Sequence, residues 1–224
     1  MSPDPFPARH DLVWPRAAWR RSARGSLAPR DLEALEEWFA RDRPAVACRR
    51  TAPCGDAIAL GVALPARHAG ERRRVALLLD PAAIARVGPP PALRDALACA
   101  PASWRERLLA LDRAARAGGV LLRVYGSLAW QHLSGLPYVT AGSDVDLLAE
   151  PRSATELRSV LELLRAREAD CAPRLDGELV LAGGRAVAWR ELVGGAAWFL
   201  VKSWASVALE PRAAVLGPWE PPCR

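Results

Sequence analysis

Apolar and polar positions change period several times along the chain. From Pro29 to Ala40, Leu32, Leu35, Trp38 and Phe39 recur at three- and four-residue spacing, and Pro29 suits a first turn. This stretch predicts a helix that stops at Arg43-Pro44. Apolar runs over 45–50, 57–64 and 72–79 follow, the first two separated by a turn with Pro53, Gly55 and Asp56. They predict a small antiparallel sheet whose third strand is buried at its apolar end. A short strand over 11–14 precedes them. Pro89-Pro90-Pro91 places a domain boundary within 81–101, with short helices near 82–87 and 92–99.

The second half changes rhythm. Ser103 and Glu106 have capping-box spacing, Trp104, Leu108 and Leu111 form an apolar face, and Gly118-Gly119 stops the helix. An apolar strand over 120–124 follows. Ser153 and Glu156 repeat the capping box before Leu157, Val160, Leu161 and Leu164. A strand over 174–181, a Gly183-Gly184 hairpin turn, a return strand over 186–192 and a strand over 197–202 complete the pattern. The expected fold class is α/β, more closely α+β with a mixed sheet. The expected domains are a smaller N-terminal α/β domain over 1–90, a catalytic domain over 91–209 and a loose Pro-containing tail over 210–224.

Candidate chemistry concentrates between Val120 and Glu150. The strand over 120–124 runs into Gly126-Ser127, a short helix, a loop, and then Ser143-Asp144-Val145-Asp146-Leu147-Leu148. In a strand, period two points Asp144 and Asp146 to one face. Neighbouring carboxylates repel unless a proton or a cation intervenes. No Lys or Arg occurs from Val124 to Pro151, so a divalent cation is the natural counter-charge there. Mg²⁺ suits one or two carboxylates plus substrate phosphates, and Mn²⁺ can replace it. Gly126 permits a tight turn and close approach of backbone. Ser127 is placed to cap the helix, whose first N–H groups form an anion site. A solvated, purely structural Asp pair is the competing reading. The Gly-Ser turn upstream favours a polyphosphate site, and residue chemistry alone reaches as far as a phosphate-transferring enzyme.

The Gly-Ser turn followed by an Asp-x-Asp strand resembles the nucleotidyltransferase superfamily. The 17 positions between Ser127 and Asp144 exceed the spacing of its compact members. The intervening residues are more specific. Tyr125 to Gln131, Gly135-Leu136-Pro137-Tyr138-Val139 and Ser143 to Leu147 resemble the malonate decarboxylase holo-(acyl-carrier-protein) synthase family, also called phosphoribosyl-dephospho-CoA transferases. Weaker resemblance extends to Arg9-His10-Asp11-Leu12, Arg43-Pro44, Arg49-Arg50 and Val201-Lys202. It implies a nucleotidyltransferase-like C-terminal domain and a donor, 2'-(5''-triphosphoribosyl)-3'-dephospho-CoA. It also implies an acceptor serine on the acyl-carrier subunit of malonate decarboxylase. Asp144 and Asp146 would be catalytic and hold Mg²⁺, and Gly126 and Ser127 would bind the donor's phosphates. Superfamily members often add a third carboxylate. Asp176, Glu178 and Glu191 are eligible; Asp176 and Glu178 share strand parity, Asp176 is favoured as the third metal ligand, and a solvated hairpin face is the rival account.

Composition narrows the partners. Hydrophobic residues make up 51% of the 224 residues, ample for a core. No apolar run reaches membrane-spanning length, and the first twelve residues hold no apolar signal core, so a cytoplasmic protein without a membrane partner is expected. Five widely spaced cysteines contain no C-x-x-C pair and indicate neither a zinc site nor a disulfide framework. The net charge of +6 fits a phosphorylated substrate or an acidic protein as well as nucleic acid. The absence of a long basic or aromatic-interleaved run argues against nucleic acid. Arg9, Arg16, Arg20, Arg21, Arg24 and Arg30 face only Asp4 and Asp11 in the first 30 positions, a segment suited to an acidic carrier. Of 31 Lys and Arg residues only Lys202 is lysine, so a tight phosphate contact is one reason for it and chance survival the other. His10, His68 and His132 are scattered, and no P-loop or G-x-G-x-x-G occurs.

Overall fold

A computed structural model describes residues 6–49, 55–65, 73–168 and 173–219. Arg50, Arg72, His68 and residues 220–224 lie outside the described residues. The fold is α+β, with two sheets in two compact units: Met1–Pro90 with Trp204–Ser206, and Pro91–Ser203 with Val207–Arg224.

The first unit is one six-stranded sheet and one helix. Its strands are β1 (Leu12–Pro15), β2 (Ala23–Arg24), β3 (Ala45–Ala47), β4 (Ile58–Leu64), β5 (Arg73–Leu79) and β6 (Ile84–Gly88), in the order β2-β5-β4-β3-β1-β6. Helix α1 (Pro29–Ala40) coincides with its sequence expectation and buries Leu35 and Trp38. The Trp38 indole donates to the Pro44 carbonyl at 2.9 Å, fixing the chain where the helix ends. The helix expected near 82–87 is instead a short 3-10 turn, Pro81–Ala83, leading into β6. Pairing with β1, Leu12 opposite Gly88 and Val13 opposite Val87, outweighs the local helical signal. Arg49 is exposed beyond the end of β3.

The second unit packs helices on one face of a mixed sheet. Its elements are α2 (Leu93–Ala96), α3 (Ala102–Ala117), β7 (Arg123–Tyr125), α4 (Gly126–Ser134), β8 (Val145–Ala149), α5 (Ala154–Glu168), β9 (Leu175–Leu181), β10 (Arg185–Ala188), α6 (Trp189–Val193), β11 (Trp198–Lys202), β12 (Val207–Pro211) and α7 (Arg212–Leu216). The strand order is β12-β11-β10-β9-β8-β7. Among the described strands of this sheet only β8 and β9 pair in parallel, with α5 between them. Val124, Val145, Leu147, Leu175, Leu179, Val187, Phe199 and Val201 share one buried cluster with Trp104, Leu108 and Leu111 of α3 and Leu157, Val160 and Leu164 of α5. Strand alternation sends Asp146, Asp176, Glu178 and Lys202 to the other face. At the edge of that face the β11–β12 ribbon exposes Trp198, Leu200, Val207 and Leu209.

Several local expectations change. Ser103 lies inside α3, whose N-cap is Pro101 with no side-chain cap bond. The second capping box forms: Glu156 N–H donates to Ser153 Oγ at 3.1 Å, and the Glu156 carboxylate accepts from the Arg152 N–H at 2.7 Å. The return strand ends at Ala188, because Trp189 to Val193 turn into α6 and bury Trp189 and Leu192. The tail expected to be loose from residue 210 is anchored through its first part. Glu210 pairs with Phe199 in β12, and α7 sends Val215 and Leu216 into the core. No helix among the described residues is long and apolar enough to cross a membrane.

Candidate active site

Three chain segments meet at one end of the open face. The first is the β7–α4 bend. Gly126 has φ +65°, and a Cβ at that position would fall inside the Asp146 carboxylate. Only glycine lets the backbone lie this close without strain. Ser127 does not cap the helix: Tyr125 is the N-cap, no side-chain cap bond forms, and Ser127 is the second helical residue. The expected anion cradle is therefore backbone N–H groups at the start of α4.

The second segment is the long insert between Ser127 and Asp144. Gln131 organises it. Its Oε1 accepts from the Tyr138 and Val139 N–H groups, both at 2.9 Å, and its Nε2 donates to the Cys99 carbonyl. Tyr138 is buried and stacks on Trp130 with ring centroids 6.3 Å apart. A turn then closes with Thr140 N–H on Ser143 Oγ at 2.9 Å and Ser143 N–H on the Thr140 carbonyl at 3.0 Å. Asp144 follows immediately, one residue before β8.

The third segment is the start of β9. Asp146 and Asp176 are register partners across the parallel pair, and Leu148 pairs with Glu178. Val145 N–H donates to the Arg174 carbonyl at 2.9 Å, which brings Arg174 beside Asp144. The site therefore holds the expected Asp144, Asp146 and Asp176, and also Glu178. Gly177, at φ +129°, lets β9 close on β8, since a Cβ there would strike the Leu147 backbone.

Arg174 and Lys202 pair with these carboxylates. Arg174 Nη2 donates to Asp144 Oδ2 at 2.8 Å and approaches Asp176 Oδ2 at 3.4 Å. This guanidinium comes from outside the stretch without Lys or Arg, so a basic residue distant in sequence reaches Asp144. Lys202 Nζ donates to Glu178 Oε1 at 2.7 Å, so the lysine expected at the phosphates is engaged by a buried carboxylate. The remaining excess charge falls on Asp146. Burial, then the charges of Asp144, Asp176 and Glu178, push its carboxyl up to about 7, against the opposing pull of Arg174. Among the described residues no group of three or more His, Cys, Asp or Glu side chains forms a ready metal cage. The donor set nonetheless fits Mg²⁺, which takes few protein carboxylates and completes its shell with phosphate oxygens and water. All its oxygens are hard, the raised Asp146 carboxyl favours a cation in place of its proton, and the Gly126 bend leaves backbone rather than side chain above it.

Sequence reasoning missed Arg174 and passed over Glu178. The alternation Arg174-Leu175-Asp176-Gly177-Glu178 held the signal, because parity puts all three charged residues on one face. His132 Nδ1 is 3.9 Å from Cys99 Sγ, and Cys48 is an exposed free thiol.

The comparisons with known proteins cover both units. Residues 8–90 match the family described as phosphoribosyl-dephospho-CoA transferase MdcG N-terminal domain, and residues 92–213 match the corresponding C-terminal domain. A phosphoribosyl-dephospho-CoA transferase of Bradyrhizobium diazoefficiens is 44% identical over 92% of this chain and 91% of its own length. One from Xanthomonas campestris pv. campestris is 43% identical over 92% of this chain and 95% of its own, and one from Pseudomonas putida is 32% identical over 88% and 90%. No solved structure matches the chain. With both halves matched in order and relatives aligned across nearly their full lengths, the chain belongs to the phosphoribosyl-dephospho-CoA transferase family.

Proposed function

We propose that this protein transfers the phosphoribosyl-dephospho-CoA group from 2'-(5''-triphosphoribosyl)-3'-dephospho-CoA to a serine of the malonate decarboxylase acyl-carrier subunit, releasing pyrophosphate. Membership of the family supports a transferase acting on this prosthetic group. The single structural observation that carries the chemistry is the convergence of Asp144, Asp146 and Asp176 beneath the Gly126 bend.

In this reading Asp144 and Asp146 hold Mg²⁺ or Mn²⁺, with Asp176 as a third ligand or as acceptor of the serine proton. The cation, when bound, supplies electrostatic stabilisation of the phosphoryl oxygens and of the pyrophosphate leaving group. The backbone N–H groups of Gly126 and Ser127 orient the distal phosphates at the start of α4. Lys202 holds Glu178 in place, and its remaining N–H donors face the same side of the sheet as a further phosphate contact. Asp146, whose carboxyl is pushed up to about 7, would take the cation as counter-charge in place of its proton. The arginines of the first 30 residues supply positive charge for an acidic carrier, and the reaction takes place in the cytoplasm.

The test is intact-mass spectrometry of the apo carrier subunit after incubation with this protein, Mg²⁺ and the triphosphoribosyl donor. A mass gain equal to the donor minus pyrophosphate supports the reading. Transfer from ATP or another nucleoside triphosphate, with none from the donor, defeats it.

A further inference from the structure

We propose that Arg174 is a resident counter-cation that holds the site in its donor-free state. On arrival of a divalent cation and donor it passes Asp144 and Asp176 to that cation and moves onto the donor's phosphate oxygens. The inference rests on the metal-dependent reading above and deepens it.

The two cations of the site differ in kind. Lys202 is paired with Glu178, whose side chain is only 6% exposed, so removing that ammonium takes an ion-pair partner from a buried carboxylate. Arg174 is paired with two carboxylates at the solvent edge, and its own side chain is 66% exposed. An ion pair this exposed is weak and readily exchanged. The backbone of Arg174 is tied to β8 through its carbonyl, so only the side chain needs to move.

One guanidinium nitrogen faces oxygens of both Asp144 and Asp176. A divalent cation that uses the same oxygens must displace it, since two cations cannot share that space without strong repulsion. Displacement leaves a long, planar, fork-shaped donor beside a newly bound polyphosphate. Guanidinium geometry suits phosphate oxygens in pairs. The exchange conserves charge pairing: carboxylates pass from guanidinium to metal, and the guanidinium passes from carboxylates to phosphate. Cation and donor then bind cooperatively, because each removes a cost that the other would meet alone.

Calorimetric titration of Mn²⁺ into wild type, Arg174→Gln and Arg174→Lys, with and without inorganic pyrophosphate, tests this. Without pyrophosphate, Arg174→Gln binds Mn²⁺ about three- to tenfold more tightly than wild type, because the competing cation is gone. With Mn²⁺ present, Arg174→Gln binds pyrophosphate about tenfold more weakly. Arg174→Lys keeps the charge but loses the fork, so its Mn²⁺ binding stays near wild type while its pyrophosphate affinity falls. Mn²⁺ and pyrophosphate binding equal in wild type and Arg174→Gln would overturn the exchange and leave the metal site standing. Absence of Mn²⁺ binding in every protein, Asp144→Asn included, would overturn the metal site and the exchange with it.

Discussion

Gly126 lies directly against the carboxylate of Asp146, so close that no side chain fits between them. The bend and the strand are thereby one unit. Gly126→Ala meets both a positive φ and a collision with Asp146, and is expected to cost about 2–4 kcal/mol of stability. Gly135→Ala is the control: its φ is +70° but nothing lies within 4 Å of an added Cβ, so about 1 kcal/mol is expected. Denaturant unfolding of the two variants measures the difference, and equal losses would show that the Asp146 contact carries no weight.

The raised carboxyl of Asp146 makes stability depend on pH. Its folded value of about 7 lies above the ordinary carboxylate value of 3.8. Between those values the folded protein holds a proton that the unfolded chain has lost, so this group's favourable contribution falls as pH rises from about 4 to about 7. Asp146→Asn cannot titrate. In metal-free buffer it is expected to gain roughly 1–2 kcal/mol over wild type between pH 5 and pH 8, an amount discounted for partial exposure. Thermal melts at the two pH values check the sign, and a pH-independent difference would refute it.

Lys202 and Glu178 form a testable pair. Lys202→Met removes an ion-pair partner from the buried Glu178 and is expected to cost about 1–3 kcal/mol. Adding Glu178→Gln removes the carboxylate that lost this partner and should recover much of the loss. A double-mutant cycle by denaturant unfolding gives the coupling, and strict additivity would mean that the 2.7 Å contact is energetically silent.

Gln131 touches no site carboxylate in the described contacts, yet it clamps the insert that delivers Asp144. Gln131→Leu strands the Tyr138 and Val139 N–H groups. Stability should fall by about 1–2 kcal/mol, while prosthetic-group transfer falls by about tenfold or more, because Asp144 loses its fixed approach. An unchanged transfer rate at saturating donor would show that the insert positions nothing.

The parts legible in the sequence are those governed by local rules. Helix α1 was readable to the residue from its apolar spacing and Pro29, and the Ser153–Glu156 box from its hydrogen-bonding chemistry. The co-facial placement of Asp144 and Asp146 follows from strand periodicity. What escaped depends on pairings between distant segments. Residues 84–88 look helical alone and become a strand because β1 lies beside them. Trp189 reads as strand and is drawn into α6 by burial. Arg174 lies 30 residues beyond Asp144, and only the parallel register of β8 and β9 brings them together. The Ser103 and Ser127 caps were each misplaced by two residues, where preceding backbone decides which residue starts the helix.

Gly177 admits β9 against Leu147 in one register, and a slip of one residue would turn every charged side chain of that strand into the apolar core. The carboxylate cluster therefore cannot exist in a partly assembled sheet. In the metal-dependent reading proposed above, capture of a divalent ion through all three aspartates would require β9 already paired on β8, which would make the ion a reporter of completed architecture rather than a nucleus for it.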